Sequence, residues 1–158
     1  MLIDAMSGPA SGSQKMYLAC EGMATTAEEA IRLCGEKLEQ AGCVTSAFAQ
    51  GCIDRERDFP TGLCTEVPVA LPHCKSDAIV RSALCYLRLR EPVKFRRMDD
   101  DERVVETRHI FNLAIAPGDH LEFLARTMQV LQDPQVLKNF EMMGVDEIRE
   151  YLEQTIGY

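Results

Sequence analysis

Three histidines, His73, His109 and His120, carry whatever nucleophilic imidazole chemistry this chain offers near neutral pH. A neutral imidazole, with an ordinary pKa of about 6.5, can take up a phosphoryl group as a phosphoramidate. His73 ends the apolar run Val67-Pro68-Val69-Ala70-Leu71-Pro72-His73, and His120 follows Ala116-Pro117-Gly118-Asp119. Both therefore stand where a strand gives way to a loop, and two adjacent strands ending at one sheet edge would bring the imidazoles together. His109 opens a strand and reads as structural. A phosphorylated imidazole needs fixed donors and a guanidinium for its oxygens. Arg55 supplies the guanidinium; the Thr61 hydroxyl and the turn amides near Gly62 are neutral donors within reach. Glu56, beside Arg55, reads as a structural salt-bridge partner, and Cys74, beside His73, as a packed thiol.

Other chemistries lack their signatures. There is no phosphate-cradling G-x-x-x-x-G-K-[ST], no dinucleotide G-x-G-x-x-G and no G-x-S-x-G nucleophile elbow. Acidic residues are abundant, but nothing singles out a catalytic pair. The seven cysteines are spread out, with no Cys-x-x-Cys, which reads as reduced cytoplasmic thiols and gives zinc no close ligand pair. A net charge of −8 argues against nucleic acid and suits solubility or the steering of a basic protein partner.

The elements that must position these residues follow from periodicity. A chain of 158 residues with 46% apolar content is read as one domain with a real core, residues 15–158, behind a small, turn-prone flexible leader at 1–14. That leader has neither the basic start nor the apolar stretch of a secretory signal, and no apolar run approaches the ~20 residues of a membrane span. Residues 16–20 form a short strand. Thr25 or Thr26 caps a helix whose Ala27, Ile31, Cys34, Leu38 and Ala41 face one way, and Gly42 stops it. A second helix, capped by Thr45 or Ser46, runs to about Arg57, where Pro60 and Gly62 forbid more. Arg55 and Glu56 thus lie in a last helical turn, able to reach toward His73. Residues 78–89 read as a strand, Glu91-Pro92 as a turn with 93–95 pairing back, 98–102 as a solvated charged loop, and 109–116 as a strand. Leu121, Leu124, Met128 and Leu131 mark the core stripe of a third helix. Asp133-Pro134 opens a short helix to Phe140, and Val145, Ile148, Leu152 and Ile156 mark the last. Strands interspersed with helices make a layered α/β fold.

Arg55-Glu56-x-x-Phe59-Pro60-Thr61-Gly62-Leu63, a short spacer and Val69-Ala70-Leu71-Pro72-His73 together resemble the signature of the phosphotransferase-system (PTS) IIA domains of the fructose/mannitol type. Phe59-Pro60-Thr61-Gly62, Cys74 after the histidine and Asp99-Asp100-Asp101 resemble the galactitol-specific branch most. The spacer 64–68 lacks the glycine found there in many fructose-type members. The resemblance implies a single α/β domain, a mixed sheet flanked by helices on both faces, as in the mannitol-type IIA fold. It also implies a phosphotransferase that accepts a phosphoryl group from HPr on His73 and passes it to a cysteine of a IIB component. The membrane enters only indirectly, through a IIC permease, and no metal, nucleotide or other cofactor is needed. Arg55 matches the active-site arginine and clamps phosphoryl oxygens. His120 matches a second active-site histidine, which donates to the phosphoryl group or holds the His73 tautomer. Glu56, Thr61 and Gly62 support the site, and Phe59 and Leu63 rim it for transient partners. The sugar expected is galactitol or a related polyol. The alternatives are a regulatory module signalling through the phosphorylation state of His73, and a degenerate interaction domain that is not phosphorylated.

Overall fold

A computed structural model describes residues 14–74, 76–119 and 121–157. The leader falls almost wholly on 1–13, outside the described residues, as does His120; Gln14, the leader's last residue, accepts a hydrogen bond from Arg81 Nε at its carbonyl (2.7 Å).

The chain folds as β1 (Met16–Gly22), α1 (Ala27–Gln40), α2 (Phe48–Asp58), β2 (Gly62–Leu63), β3 (Val69–Ala70) and β4 (His73–Cys74), followed by the long strands β5 (Ala83–Arg96) and β6 (Val104–Ala114) and by α3 (Leu121–Leu131), α4 (Pro134–Phe140) and α5 (Val145–Ile156). The six-stranded sheet has the order β1-β5-β6-β3-β2, with β4 also on β6. β1 runs parallel to β5, β5 antiparallel to β6, and β3 and β4 parallel to β6. Because β5 fills one edge of β6, β3 and β4 share the other, at Ile110 and then at Leu113–Ala114.

Side chains alternate across this sheet and fill two cores. Cys85, Leu87, Leu89, Ile110 and Ala114 meet α1 and α2 on one face. Leu84, Tyr86, Phe111 and Leu113 meet α3, α4 and α5 on the other. Each fully buried leucine or phenylalanine contributes about 1.5–3 kcal/mol relative to exposure. This mixed sheet between two helical layers is the architecture expected from the resemblance.

The helices follow their periodicity and caps. Thr26, not Thr25, is the N-cap of α1: its Oγ1 accepts from Glu29 N (3.1 Å), while Glu29 reaches back to Thr25 N (2.7 Å). Asp133 caps α4 through Gln135 N, with Pro134 at the first helical position. At α2 the N-cap is Ala47, and no side chain caps it; Thr45 Oγ1 accepts only from Ala47 N, at 3.4 Å.

Three strand expectations need correction. Residues 78–82 are not strand: Cys43 O accepts from Val80 N (2.8 Å) and Arg81 N (3.0 Å), tying this segment to the loop after α1. Glu91-Pro92 is no turn. β5 runs straight through it as one 14-residue strand, with a register break between Arg88 and Val93 where no ladder bond is asked of Pro92. His109 does not open β6, which begins five residues earlier; Val105, Thr107 and His109 alternate inward there, two of them polar. His109 is structural, as expected, its Nδ1 against Tyr86 Oη (2.7 Å) and its Nε2 against Glu141 (2.9 Å).

The far half of β5 positions the site. Arg96 Nη2 donates to the carbonyls of Glu56 (3.1 Å) and Arg57, satisfying the open C-terminus of α2. Gly62 lets β2 lie against β5: a Cβ there would stand 2.7 Å from Arg96 O. We expect Gly62→Ala to destabilise the fold by about 1–3 kcal/mol, read as a lower urea midpoint at unchanged slope; an unchanged midpoint would show that the two strands can separate freely.

Candidate functional site

His73, the first residue of β4 and paired with Leu113 near the carboxyl end of β6, lines a cavity of about 520 Å³. The cavity is lined by Gly51 and Arg55 of α2, His73 and Cys74 of β4, Ser76, Ile115, and Leu121 and Leu124 of α3. Crevices beyond the carboxyl ends of parallel strands are where α/β sheets bind ligands. His73 is not past a strand end, as expected from Pro72, but inside the two-residue strand β4. Pro72 merely interrupts the pairing: its carbonyl accepts from Leu113 N (3.0 Å) and Asn112 Nδ2 (2.8 Å), and β4 resumes beside β6.

A continuous set of hydrogen bonds holds His73. Glu56, in the last turn of α2, receives Thr61 N on Oε2 and Thr61 Oγ1 on Oε1, both at 2.8 Å. Thr61 is 2% exposed, and its Oγ1 and backbone oxygen receive Leu71 N (3.2 and 3.3 Å). Leu71 O in turn lies 2.7 Å from His73 Nδ1. A carbonyl only accepts, so Nδ1 carries the proton and Nε2 is left with the lone pair. Burial is the largest influence on His73 and lowers its pKa; the Leu71 bond opposes this and the Arg55 charge adds to it. His73 is therefore held in its neutral form at pH 7.

Arg55 lies exposed in the last turn of α2, its guanidinium 5.1 Å from the centroid of the Phe59 ring. Such a cation–π contact keeps the guanidinium beside the ring without neutralising it. Glu56 meets Thr61 where an ion pair was expected, and burial raises its pKa despite those two bonds and nearby Arg96 and Arg55. The Thr61 hydroxyl is likewise committed to Glu56 and is not available as a donor to a phosphoryl group; Gly62 is strand backbone against β5, and its carbonyl accepts from Met98 N (2.8 Å). Both act by shaping the turn. Phe59 is 62% exposed against the Arg55 guanidinium, whereas Leu63, also expected at the rim, packs into the α3–α5 core. Leu121, expected in the core stripe of α3, is instead 65% exposed at the cavity mouth.

Asn112 escaped the sequence reading. It is fully buried under the site, holding Pro72 O and reaching Cys52 Sγ (3.6 Å). A lone asparagine amid the apolar run of β6 was the available signal, since buried amides in strands need a partner to satisfy. The loop before α3 is pinned by Ser82, whose Oγ donates to Asp119 and accepts from Ala116 N (2.8 Å).

Fold and site together define an α/β domain that offers a tautomer-locked, neutral imidazole beside a guanidinium in an open crevice, the layout of a phosphohistidine transfer domain. The chain belongs to the family described as "Phosphoenolpyruvate-dependent sugar phosphotransferase system, EIIA 2", which matches residues 14–155. The galactitol-specific EIIA component of Escherichia coli strain K12 is 28% identical over 129 residues, 81% of this chain and 86% of the relative. The mannitol-specific phosphotransferase enzyme IIA component of Enterococcus faecalis is 30% identical over 131 residues, 80% of this chain and 87% of the relative. Among solved structures, the complex of enzyme IIA and phosphorylated enzyme IIB of the mannitol system from Escherichia coli matches with a TM-score of 0.69 at 26% identity, over 92% of this chain and 98% of that one. As a IIA component the protein is a phosphotransferase working through a phosphohistidine, between HPr and a IIB partner.

We expect the His73 ring protons to titrate in NMR spectra with a midpoint below the ordinary value of about 6.5. Lowering the pH thus removes the neutral form later than for a free imidazole. Arg55→Gln removes one of the two depressing influences and moves the midpoint upward, though not fully, because burial is the larger. A wild-type midpoint at or above the free value would overturn this electrostatic description.

Proposed function

We propose that His73 is the phosphoryl-carrying residue of this IIA component, that Nε2 is the nucleophile, and that the sugar system served is one for galactitol or a related polyol. The observation that carries the reading is the 2.7 Å contact from His73 Nδ1 to Leu71 O, which leaves Nε2 as the lone-pair nitrogen of an imidazole in the same crevice as Arg55. In this reading Nε2 attacks the phosphorus of phospho-HPr in line, the P–N bond of the donor breaks, and the donor imidazole leaves. Transfer onward to the IIB cysteine reverses the roles. Such a transfer asks the scaffold for positioning and charge stabilisation rather than covalent help.

Arg55, kept beside the Phe59 ring, meets the phosphoryl oxygens with its fork. The N-terminus of α3, whose Leu121 and Leu124 line the crevice, adds a dipole favourable to the transferring charge by about 0.3–1 kcal/mol. His120, immediately before α3 in sequence, is proposed as a further donor to the phosphoryl group; the tautomer-holding role is already filled by Leu71 O. Phe59 and Leu121 form the apolar rim against which HPr and IIB dock in turn. The polyol assignment draws on the galactitol- and mannitol-specific relatives and on Phe59-Pro60-Thr61-Gly62, Cys74 and Asp99-Asp100-Asp101. With HPr as the donor, the reading places the domain in the cytoplasm; among the described residues no helix is long and apolar enough to cross a membrane.

Incubation with phosphoenolpyruvate, enzyme I and HPr, followed by intact mass measurement, is expected to show one acid-labile phosphate that His73→Ala abolishes. Unchanged labelling of that variant removes His73 from the role. In Arg55→Lys the fold is retained, because Arg55 is exposed, and onward transfer to IIB slows about 10- to 150-fold. That range corresponds to losing one charge-assisted hydrogen bond of about 1.5–3 kcal/mol. A wild-type rate in this variant would exclude the clamp.

A further inference from the structure

Beneath His73 lies a pair of thiols that phosphoryl transfer does not use. Cys74, next in β4, is 6% exposed and lines the crevice; Cys52, in α2, is fully buried behind it. Their sulfurs are 3.7 Å apart, with Cys52 donating to Cys74. We propose that Cys52 and Cys74 are a reversible redox dithiol, oxidised by hydroperoxides entering through the His73 crevice to a disulfide that ties α2 to β4.

Three features distinguish this pair from the other thiols. The first is access. Cys74 opens on the crevice beside Gly51, where an added Cβ would sit 3.3 Å from its sulfur, so the glycine leaves room at the thiol. The second is polarity. The Cys52 thiol, then Ser76 and Arg55, stabilise the Cys74 thiolate and bring its pKa down to about 7 against the opposing effect of burial, which is the setting of a peroxide-reactive thiol. The third is a fixed partner. Asn112 Nδ2 holds Cys52 Sγ (3.6 Å) from the sheet side while donating to Pro72 O, so the resolving sulfur is aimed at Cys74 by the same amide that supports the backbone before His73. By contrast, Cys20 and Cys85 are 4.0 Å apart, but Cys85 is wholly enclosed and neither thiol is lowered as Cys74 is. The bond to Cys85 and then burial raise Cys20. Although its bond to Cys20 lowers Cys85, Cys34 and burial raise it above the usual range. Cys64 is exposed.

The chemistry balances in two steps. The Cys74 thiolate attacks a peroxide oxygen; the S–O bond forms, the O–O bond breaks, and the alkoxide leaves with the proton Cys74 gave up, as alcohol. Cys52 then attacks the Cys74 sulfenic sulfur; the S–S bond forms, the S–O bond breaks, and hydroxide leaves with the Cys52 proton as water. The dithiol loses two electrons and the hydroperoxide gains them. Two equivalents of an external thiol reverse the change. Closure must bring the sulfurs to about 2.05 Å, which draws the helix bearing Arg55 against the strand bearing His73. The effect on phosphoryl transfer, but not the dithiol itself, rests on the role proposed above for His73.

The test treats reduced wild-type protein with hydrogen peroxide, alkylates the remaining thiols under denaturing conditions and maps the peptides. A Cys52–Cys74 linked peptide that dithiothreitol abolishes is expected. In Cys52→Ala, Cys74 should instead stop at a sulfenic acid that dimedone traps. Recovery of both residues as alkylated free thiols while Cys64 is oxidised would overturn the proposal. Oxidised wild type should accept phosphate from phospho-HPr on the order of 10²-fold more slowly, the effect of roughly an ångström of misplacement. Full-rate labelling of disulfide-bonded protein would refute the regulatory consequence. If reduced protein is never labelled yet the disulfide forms, the assigned role of His73 falls and the dithiol stands.

Discussion

The hydrogen bond from His73 to the carbonyl of Leu71 depends on everything N-terminal to it in this segment. Leu71 can offer that carbonyl only because its own N–H is taken by Thr61, and Thr61 is placed by a glutamate at the end of a helix. The cost of this arrangement is visible at Glu56, whose carboxylate is largely removed from water and resists ionisation for that reason. Two good donors at 2.8 Å offset that penalty in part, and a carboxylate with both oxygens so engaged cannot swing away to pair with Arg55. The arginine is thereby left to its aromatic neighbour and to the crevice. One acid thus sets the tautomer of the histidine and the freedom of the guanidinium together.

The sheet supplies what this chain of bonds cannot. β3 and β4 are too short to stand alone, and it is β6, backed along its whole length by β5, that gives them an edge. The residues under the edge alternate by strand parity. Asn112 faces α2 and steadies Pro72, while Leu113 faces α3 and packs the other core. The crevice falls where the parallel strands end and where the helices of the two layers, α2 and α3, diverge around them. Partner proteins can then approach a histidine that is only half-buried.

Much of this was legible in the sequence, and the gaps have physical causes. Helices announce themselves through 3.6-residue spacing and caps, so α1, α3, α4 and α5 emerged at or near their observed bounds. Strands gave less. Pro92 mimics a turn, and only the register break in β5 reveals that it interrupts a ladder instead. The start of β6 was hidden because its inward positions include Thr107 and His109, polar side chains satisfied by partners far along the chain. His73 and Arg55 were found through spacing and motif. Glu56 and Thr61 were placed at the site, yet their bond to each other joins a helix end to a turn, a pairing with no periodic signature. Asn112 and the exposure of Leu121 depend on tertiary packing alone. His120 lies outside the described residues.

The bonds around His73 also bear on the order in which the molecule assembles. Their sequence separations are five residues from Glu56 to Thr61, ten from Thr61 to Leu71 and two from Leu71 to His73. Loops that short close at little entropic cost. The stretch from Glu56 to His73 can therefore draw its ends together cheaply, but it is held in shape by Arg96 and by β6, some forty residues away. Asn112, forty residues from Pro72, acts as a latch that seats this segment on the β5–β6 hairpin. Contacts of that separation are the entropically expensive ones, so the site is completed by the long hairpin rather than by its own motif.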